Sequence, residues 1–223
     1  MKITWLGQAG LMFETSGKII ICDPYLSDSC AKINPKSKRR VPVCESFLKI
    51  KPDIILLTHD HLDHTDPETL RHYINSDKKM LILASGNAWT KARELGGGHN
   101  YVEFNRHTRW SEGEIVFKAV KAQHSDHSAI GIIIEAEGKK YYITGDTLCC
   151  EDIFADLPSD IDVCFVPVNG VGNNMNFSDA AYFCNRINAK AVPLHCGLFD
   201  DIDMNEFPYE NKVVPQFYKE IEI

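Results

Sequence analysis

Residues 58 to 64 read Thr-His-Asp-His-Leu-Asp-His and directly follow Asp53-Ile-Ile-Leu-Leu57, an apolar run typical of a strand buried on both faces. His59, His61, Asp63 and His64 therefore set four metal-competent side chains within six residues at a strand's end. Side chains alternate along extended backbone, so a strand continuing past Thr58 points residues 59, 61 and 63 to one side. Imidazole and carboxylate are ligand types suited to zinc, manganese and iron. Crowding these lone pairs and charges is unfavourable without a cation. The segment predicts a metal site.

Three more polar residues stand where apolar runs stop. His124 follows Ile115 to Gln123, Asp146 ends Tyr141-Tyr-Ile-Thr-Gly-Asp, and His195 ends Ala191-Val-Pro-Leu-His. Gly145 permits close backbone approach beside Asp146. One strand-terminal histidine alone is as readily a satisfied core residue. Together the seven residues are too many for one tetrahedral zinc and suit two adjacent cations.

The surrounding pattern is mixed. Lys2 to Glu14 and Lys18 to Asp23 read as strands about a Ser16-Gly17 turn, and Asp53 to Thr58 as a third. Asp66 is placed to cap a helix that has Pro67 in its first turn and runs to about Asn75. Met80 to Ala84 reads as a strand and Ala88 to Leu95 as a helix stopped by Gly96-Gly97-Gly98. Further strands follow at Ile115 to Gln123, Ala129 to Ala136, Lys140 to Thr144 and Asp162 to Val168. A helix over Ser178 to Asn188 and a short strand over Ala191 to Leu194 complete the pattern. Strands with helices interposed throughout predict a layered α/β or α+β sandwich, and 223 residues predict one domain. Leu26 to Cys44 is the one long stretch without a clear pattern, and such loops are commonly functional or disordered.

Composition excludes several classes. A net charge of −7 argues against nucleic acid and anionic membranes as partners. No apolar run approaches the roughly 20 residues of a membrane span, and the N-terminus lacks a signal-peptide pattern. Eight scattered cysteines without a Cys-x-x-Cys pair suggest free thiols in a reducing compartment. The expectation is a cytoplasmic protein, with its oligomeric state open and a homo-oligomer compatible.

Thr58-His-Asp-His-Leu-Asp-His64, then His124, Thr144-Gly-Asp-Thr147 and His195 in that order, resemble the metallo-β-lactamase superfamily over nearly the whole chain. The resemblance implies an α+β fold, an αββα four-layer sandwich with a metal site at one edge of the paired sheets. It implies two divalent metal ions (zinc or manganese, or else iron). One would take His59, His61 and His124, and the other Asp63, His64 and His195. Asp146 would bridge them together with a hydroxide. Position 61 is His where the diiron oxygen-reducing branch carries Glu, which favours hydrolysis over redox chemistry.

A narrower resemblance is to the L-ascorbate-6-phosphate lactonase-like branch. It is carried by Asp23-Pro-Tyr-Leu26, Pro167-Val-Asn-Gly170, Gly172-Asn-Asn-Met-Asn176 and Pro193-Leu-His-Cys-Gly197. The ascorbate-phosphate enzyme has Asp where this chain has His124, which leaves the substrate open.

Within that frame Asp63 is the candidate to orient the hydroxide or take its proton. His127 either protonates the leaving alkoxide or binds the substrate, or else is a surface histidine or one that supports a ligand. Asp23, closing an apolar strand, is placed to hydrogen-bond a ligand histidine and fix its tautomer. Lys36, Lys38, Arg39 and Arg40 form either a solvated loop or a lid that grips a phosphate or carboxylate. Asn169 and Asn176 flank a Gly-rich turn and are candidates for binding substrate hydroxyls or an anion, the alternative being turn chemistry. The expected activity is hydrolysis of a small anionic ester, foremost a lactone of a phosphorylated sugar acid. A phosphodiesterase and a non-catalytic metal-bound sensor are the alternatives.

Overall fold

The computed structural model describes all residues 1–223. Its twelve strands form two six-stranded sheets, each in chain order. The first contains β1 (Lys2–Gly7), β2 (Gly10–Thr15), β3 (Lys18–Cys22), β4 (Ile54–Leu57), β5 (Leu81–Ala84) and β6 (Asn100–Glu103). The second contains β7 (Arg109–Glu112), β8 (Ile115–Lys121), β9 (Ile130–Ala136), β10 (Lys139–Ile143), β11 (Val163–Pro167) and β12 (Lys190–Leu194). Each sheet begins as an antiparallel meander and ends in parallel strands. Six helices fill the connections: α1 (Ser29–Ile33), α2 (Glu45–Leu48), α3 (Pro67–Ile74), α4 (Gly86–Glu94), α5 (Glu151–Asp156) and α6 (Phe177–Ile187).

Strand β4 shows why the apolar runs are continuous rather than alternating. Ile54 and Leu56 pack between the sheets with Phe13, Phe117 and Ile132. Ile55 and Leu57 point the other way, into an apolar layer with Leu70 and Tyr73 of α3 and Ala88 and Ala92 of α4. On the far side Ala180, Phe183 and Cys184 of α6 join the inner core through the second sheet, with Tyr142 beside Phe183. Helix, sheet, sheet and helix are the four layers. Each fully buried Ile or Leu contributes about 1.5–3 kcal/mol. Phe13 and Phe165 meet edge to face across the interface, 5.7 Å between centroids.

Local signals account for much of this. Asp66 accepts hydrogen bonds from the N–H groups of Glu68 and Thr69, with Pro67 in the first turn of α3. Ser16-Gly17 and Glu137-Gly138 make hairpin turns with positive φ at both residues. Two expectations need correction, and two strands went unseen. Lys2 to Glu14 is not one strand but two, because Gly7 and Gln8 turn at φ 97° and 51°. Residues 26–44 contain α1 and a 3₁₀ turn at Pro35–Ser37 instead of irregular chain. Strands β6 and β7 are half-exposed edge strands with little apolar alternation, so they left no periodic signal.

Candidate metal centre

The strand ends converge on one edge of the sandwich. β4 runs out at Thr58, β8 leads to His124, β10 to Asp146 and β12 to His195, while β3 delivers Asp23. Ile130 N–H donates to Thr58 O at 3.0 Å and His195 N–H to Gln8 O at 3.1 Å, so the two sheets are joined there. Gly145, at φ 61°, sits where a Cβ would lie 2.9 Å from Ile130 O and 3.0 Å from Thr58 Cβ. No larger residue fits the Asp146 turn without displacing that junction.

The segment after Thr58 does not stay extended. His64 and Thr65 donate their N–H groups back to His61 O at 3.0 and 2.8 Å, forming a turn. The period-two argument therefore fails. The turn instead brings the His59 and His64 rings together at a tilt, with centroids 4.0 Å apart, and leaves His61 4.7 Å from His59.

Three ligand-competent groups result, each with its atoms within 4.8 Å of one another: His59, His61 and His124; Asp63, His64 and His195; and Asp23, His59 and His64, which shares a histidine with each of the other two. In the first, His124 Nε2 lies 3.1 Å from His61 Nδ1. In the second, Asp63 Oδ2 lies 3.2 Å from His195 Nε2. Asp146 contacts the second group through both oxygens, Oδ1 3.2 Å from His64 Nε2 and Oδ2 3.2 Å from His195 Nε2, and its charge also acts on His59 and His124 of the first. Buried His59 Nε2 has no hydrogen-bond partner in the protein. Unpaired polar atoms of this kind are costly unless a cation satisfies them, so the donor set fits divalent metal.

Surrounding residues hold the cluster. Buried Asp23 accepts from His64 Nδ1 at 2.9 Å, from Thr58 N–H at 2.8 Å and from Thr58 Oγ1 at 2.5 Å. Asn174 Nδ2 donates to Asp146 Oδ2 at 2.9 Å. Gln8 Nε2 donates to Asp63 Oδ2 at 2.8 Å and lies 3.1 Å from His195 Nδ1. Gln8 is hidden in sequence inside an apparent strand, and the glycines at 7 and 10 are the one signal of the turn that exposes it. Gln8, Asp23 and His195 all have positive φ (51°, 43° and 67°), a conformation costing about 1–2 kcal/mol in L-residues that concentrates at functional sites.

The cluster opens into a cavity of about 380 Å³, lined among others by His61, Asp63, Asp146, His195, Asn169 and Lys36. Asn169 Nδ2 lies 3.0 Å from His195 Nδ1. The remaining candidates fall elsewhere. Asn176 Oδ1 caps α6 by accepting from Asp179 N–H and is absent from the cavity wall. Arg39 is tied to Tyr25 O, Val41 O and the Tyr218 hydroxyl, and Arg40 to Asp201. Lys38 is exposed and off the wall, and exposed His127 is off it too. Of the basic run only Lys36 lines the cavity, and no carboxylate pairs with it.

Electrostatics within the cluster follow from its carboxylates. Burial disfavours charge on His195, but Asp146 and Asp63 outweigh it and push its pKa up to about 9. His64 is raised the same way by Asp146 and Asp63 against burial, whereas burial holds His59 well below the usual range. Asp63 and Asp146 are lowered by His64 and His195 despite burial. A raised histidine stabilises the fold fully below its unfolded value of 6.5 and stops doing so as pH climbs through about 9. Chelator-stripped protein is therefore expected to melt at lower temperature as pH rises across that window. Metal affinity should rise over the same window as imidazolium protons leave. Melting curves at stepped pH in EDTA check this; a flat profile would contradict the paired-imidazolium cluster.

A family model for the beta-lactamase superfamily domain matches residues 2–195. By sequence the chain is similar to a UPF0173 metal-dependent hydrolase of Ligilactobacillus salivarius (strain UCC118), 30% identical over 225 residues covering 93% of this chain and 91% of that protein. A UPF0173 metal-dependent hydrolase of Staphylococcus aureus (strain bovine RF122 / ET3-1) is 28% identical, covering 96% and 93%. Among solved structures, a metallo hydrolase from Ignicoccus hospitalis superposes with TM-score 0.76 at 22% identity, covering 98% and 96%. An isothiocyanate hydrolase from Delia radicum gut bacteria superposes with TM-score 0.77 at 18% identity, covering 100% and 99%. At these identities the two structures speak for the fold alone. No helix is long and apolar enough to cross a membrane.

Proposed function

The chain belongs to the β-lactamase superfamily and is a metal-dependent hydrolase, and on that premise we propose that it opens a small anionic ester, foremost a lactone of a phosphorylated sugar acid, with two divalent cations of zinc or manganese. The observation that carries this is the pair of ligand groups facing one cavity whose wall holds a single unpaired cation, Lys36. His59, His61 and His124 would hold one ion and Asp63, His64 and His195 the other, with Asp146 shared between them. When bound, such ions make water acidic enough to act as a nucleophile near neutral pH and polarise a substrate carbonyl or phosphoryl oxygen.

The protein's own groups supply the rest. Asp63 lines the cavity and is oriented by Gln8, which places its carboxylate to accept a proton from the attacking water and return it to the leaving alkoxide. Asp23 accepts from His64 Nδ1, which turns Nε2 toward the cluster. Asn169 offers an amide to substrate oxygens at the cavity wall. Lys36 meets the substrate's anionic group.

The test is a panel of sugar lactones with and without a phosphate, run beside bis(p-nitrophenyl) phosphate on zinc- or manganese-loaded protein. A charge-assisted contact predicts kcat/KM for a phosphorylated lactone about tenfold or more above its neutral counterpart. Turnover of the phosphodiester alone would make the protein a phosphodiesterase. Bound metal with no turnover on either would make it a sensor or binding protein.

A further inference from the structure

Asp126 is a buried carboxylate that neither belongs to the two ligand groups nor lines the cavity. Its bonds reach into both loops that carry the first group. Oδ2 accepts from the N–H of Asp60, the residue between His59 and His61, at 3.0 Å. Oδ1 accepts from Asn87 Nδ2 at 2.7 Å and from Ser128 N–H and Oγ, each at 2.8 Å. Asn87 belongs to α4, and its own N–H donates to Ser128 Oγ at 3.0 Å. Lys91 of the same helix pairs with the Asp60 carboxylate at 3.0 Å. The second group is held by different residues, Asp23 on His64, Gln8 on Asp63, and Asn169 beside His195.

We propose that Asp126 is a positioning residue that ties the His59–His61 loop to the His124 loop and so sets the affinity of the three-histidine position selectively. All its partners are donors, so asparagine cannot replace it in kind. Either orientation of the amide turns an NH₂ group on a donor, the Asp60 N–H or the Asn87 and Ser128 set. The strain falls on His61, the most exposed ligand of that group.

The inference rests on the two-cation reading and is tested on the full chain by competitive chelator titration with zinc. In Asp126→Asn one metal equivalent should weaken about ten- to a hundredfold, the range for residues supporting a ligand, while the other keeps its affinity. Asn87→Ala removes one donor from outside the ligand loops and should weaken the same equivalent about three- to tenfold. This second variant decides the matter if Asp126→Asn fails to fold. Two equivalents weakening together would overturn the proposal, as would lost stability with both affinities unchanged. A wild-type protein that binds one equivalent would end the two-cation reading on its own. The tether would then be upheld if Asp126→Asn weakens that equivalent and overturned if it does not.

Discussion

Asp63→Ala should lower turnover by about a thousandfold or more, because one truncation removes both a proton acceptor and a metal ligand. Asp63 faces the cavity and contacts Gln8 and His195, so its loss leaves the core layers intact. The variant should fold, keep the circular dichroism of the parent and hold less metal. Steady-state kinetics beside elemental analysis read both effects. Near-normal turnover in a folded Asp63→Ala protein would show that the proton is handled elsewhere.

The second large effect is on stability. Asp23→Ala should destabilise the protein by about 3–5 kcal/mol, as expected when a buried charge network loses one member. Thr58 N–H and His64 Nδ1 would each lose a partner in a fully buried setting. Alanine would also tolerate the φ of 43° at this position less well than aspartate does. Asp23→Asn keeps the shape and an acceptor for Thr58 but offers His64 an NH₂ group. It should therefore lose metal affinity more than stability. Urea unfolding in the presence of chelator separates the two variants. A change below about 1 kcal/mol for Asp23→Ala would mean that the network is not what closes the sheet edge.

The parts of the fold legible in the sequence are those written in local chemistry. Asp66-Pro67 announces α3, Ser16-Gly17 and Glu137-Gly138 announce hairpins, and Ile54 to Leu57 reads as doubly buried because both faces are covered. The ligand candidates were readable because four crowd one motif after the apolar run Ile54 to Leu57 and three more, His124, Asp146 and His195, follow other apolar runs. What stayed hidden depends on tertiary context. Gln8 becomes part of the site only because a turn at positive φ breaks an apparent strand. Lys36, Lys38, Arg39 and Arg40 look alike in sequence, yet the fold sends Arg39 to Tyr218 and Arg40 to Asp201 and leaves Lys36 at the cavity. Asn169 and Asn176 are similarly placed by composition, but only Asn169 reaches the site while Asn176 caps α6. Asp126 carries no signal of its own, since its role requires three segments to meet.

Metal content per chain is the most direct measurement of the central claim. Protein purified without added metal and then reconstituted with zinc or manganese should hold close to two ions per chain by elemental mass spectrometry, matching the two ligand groups around Asp146. One ion or fewer after reconstitution would contradict the dinuclear centre.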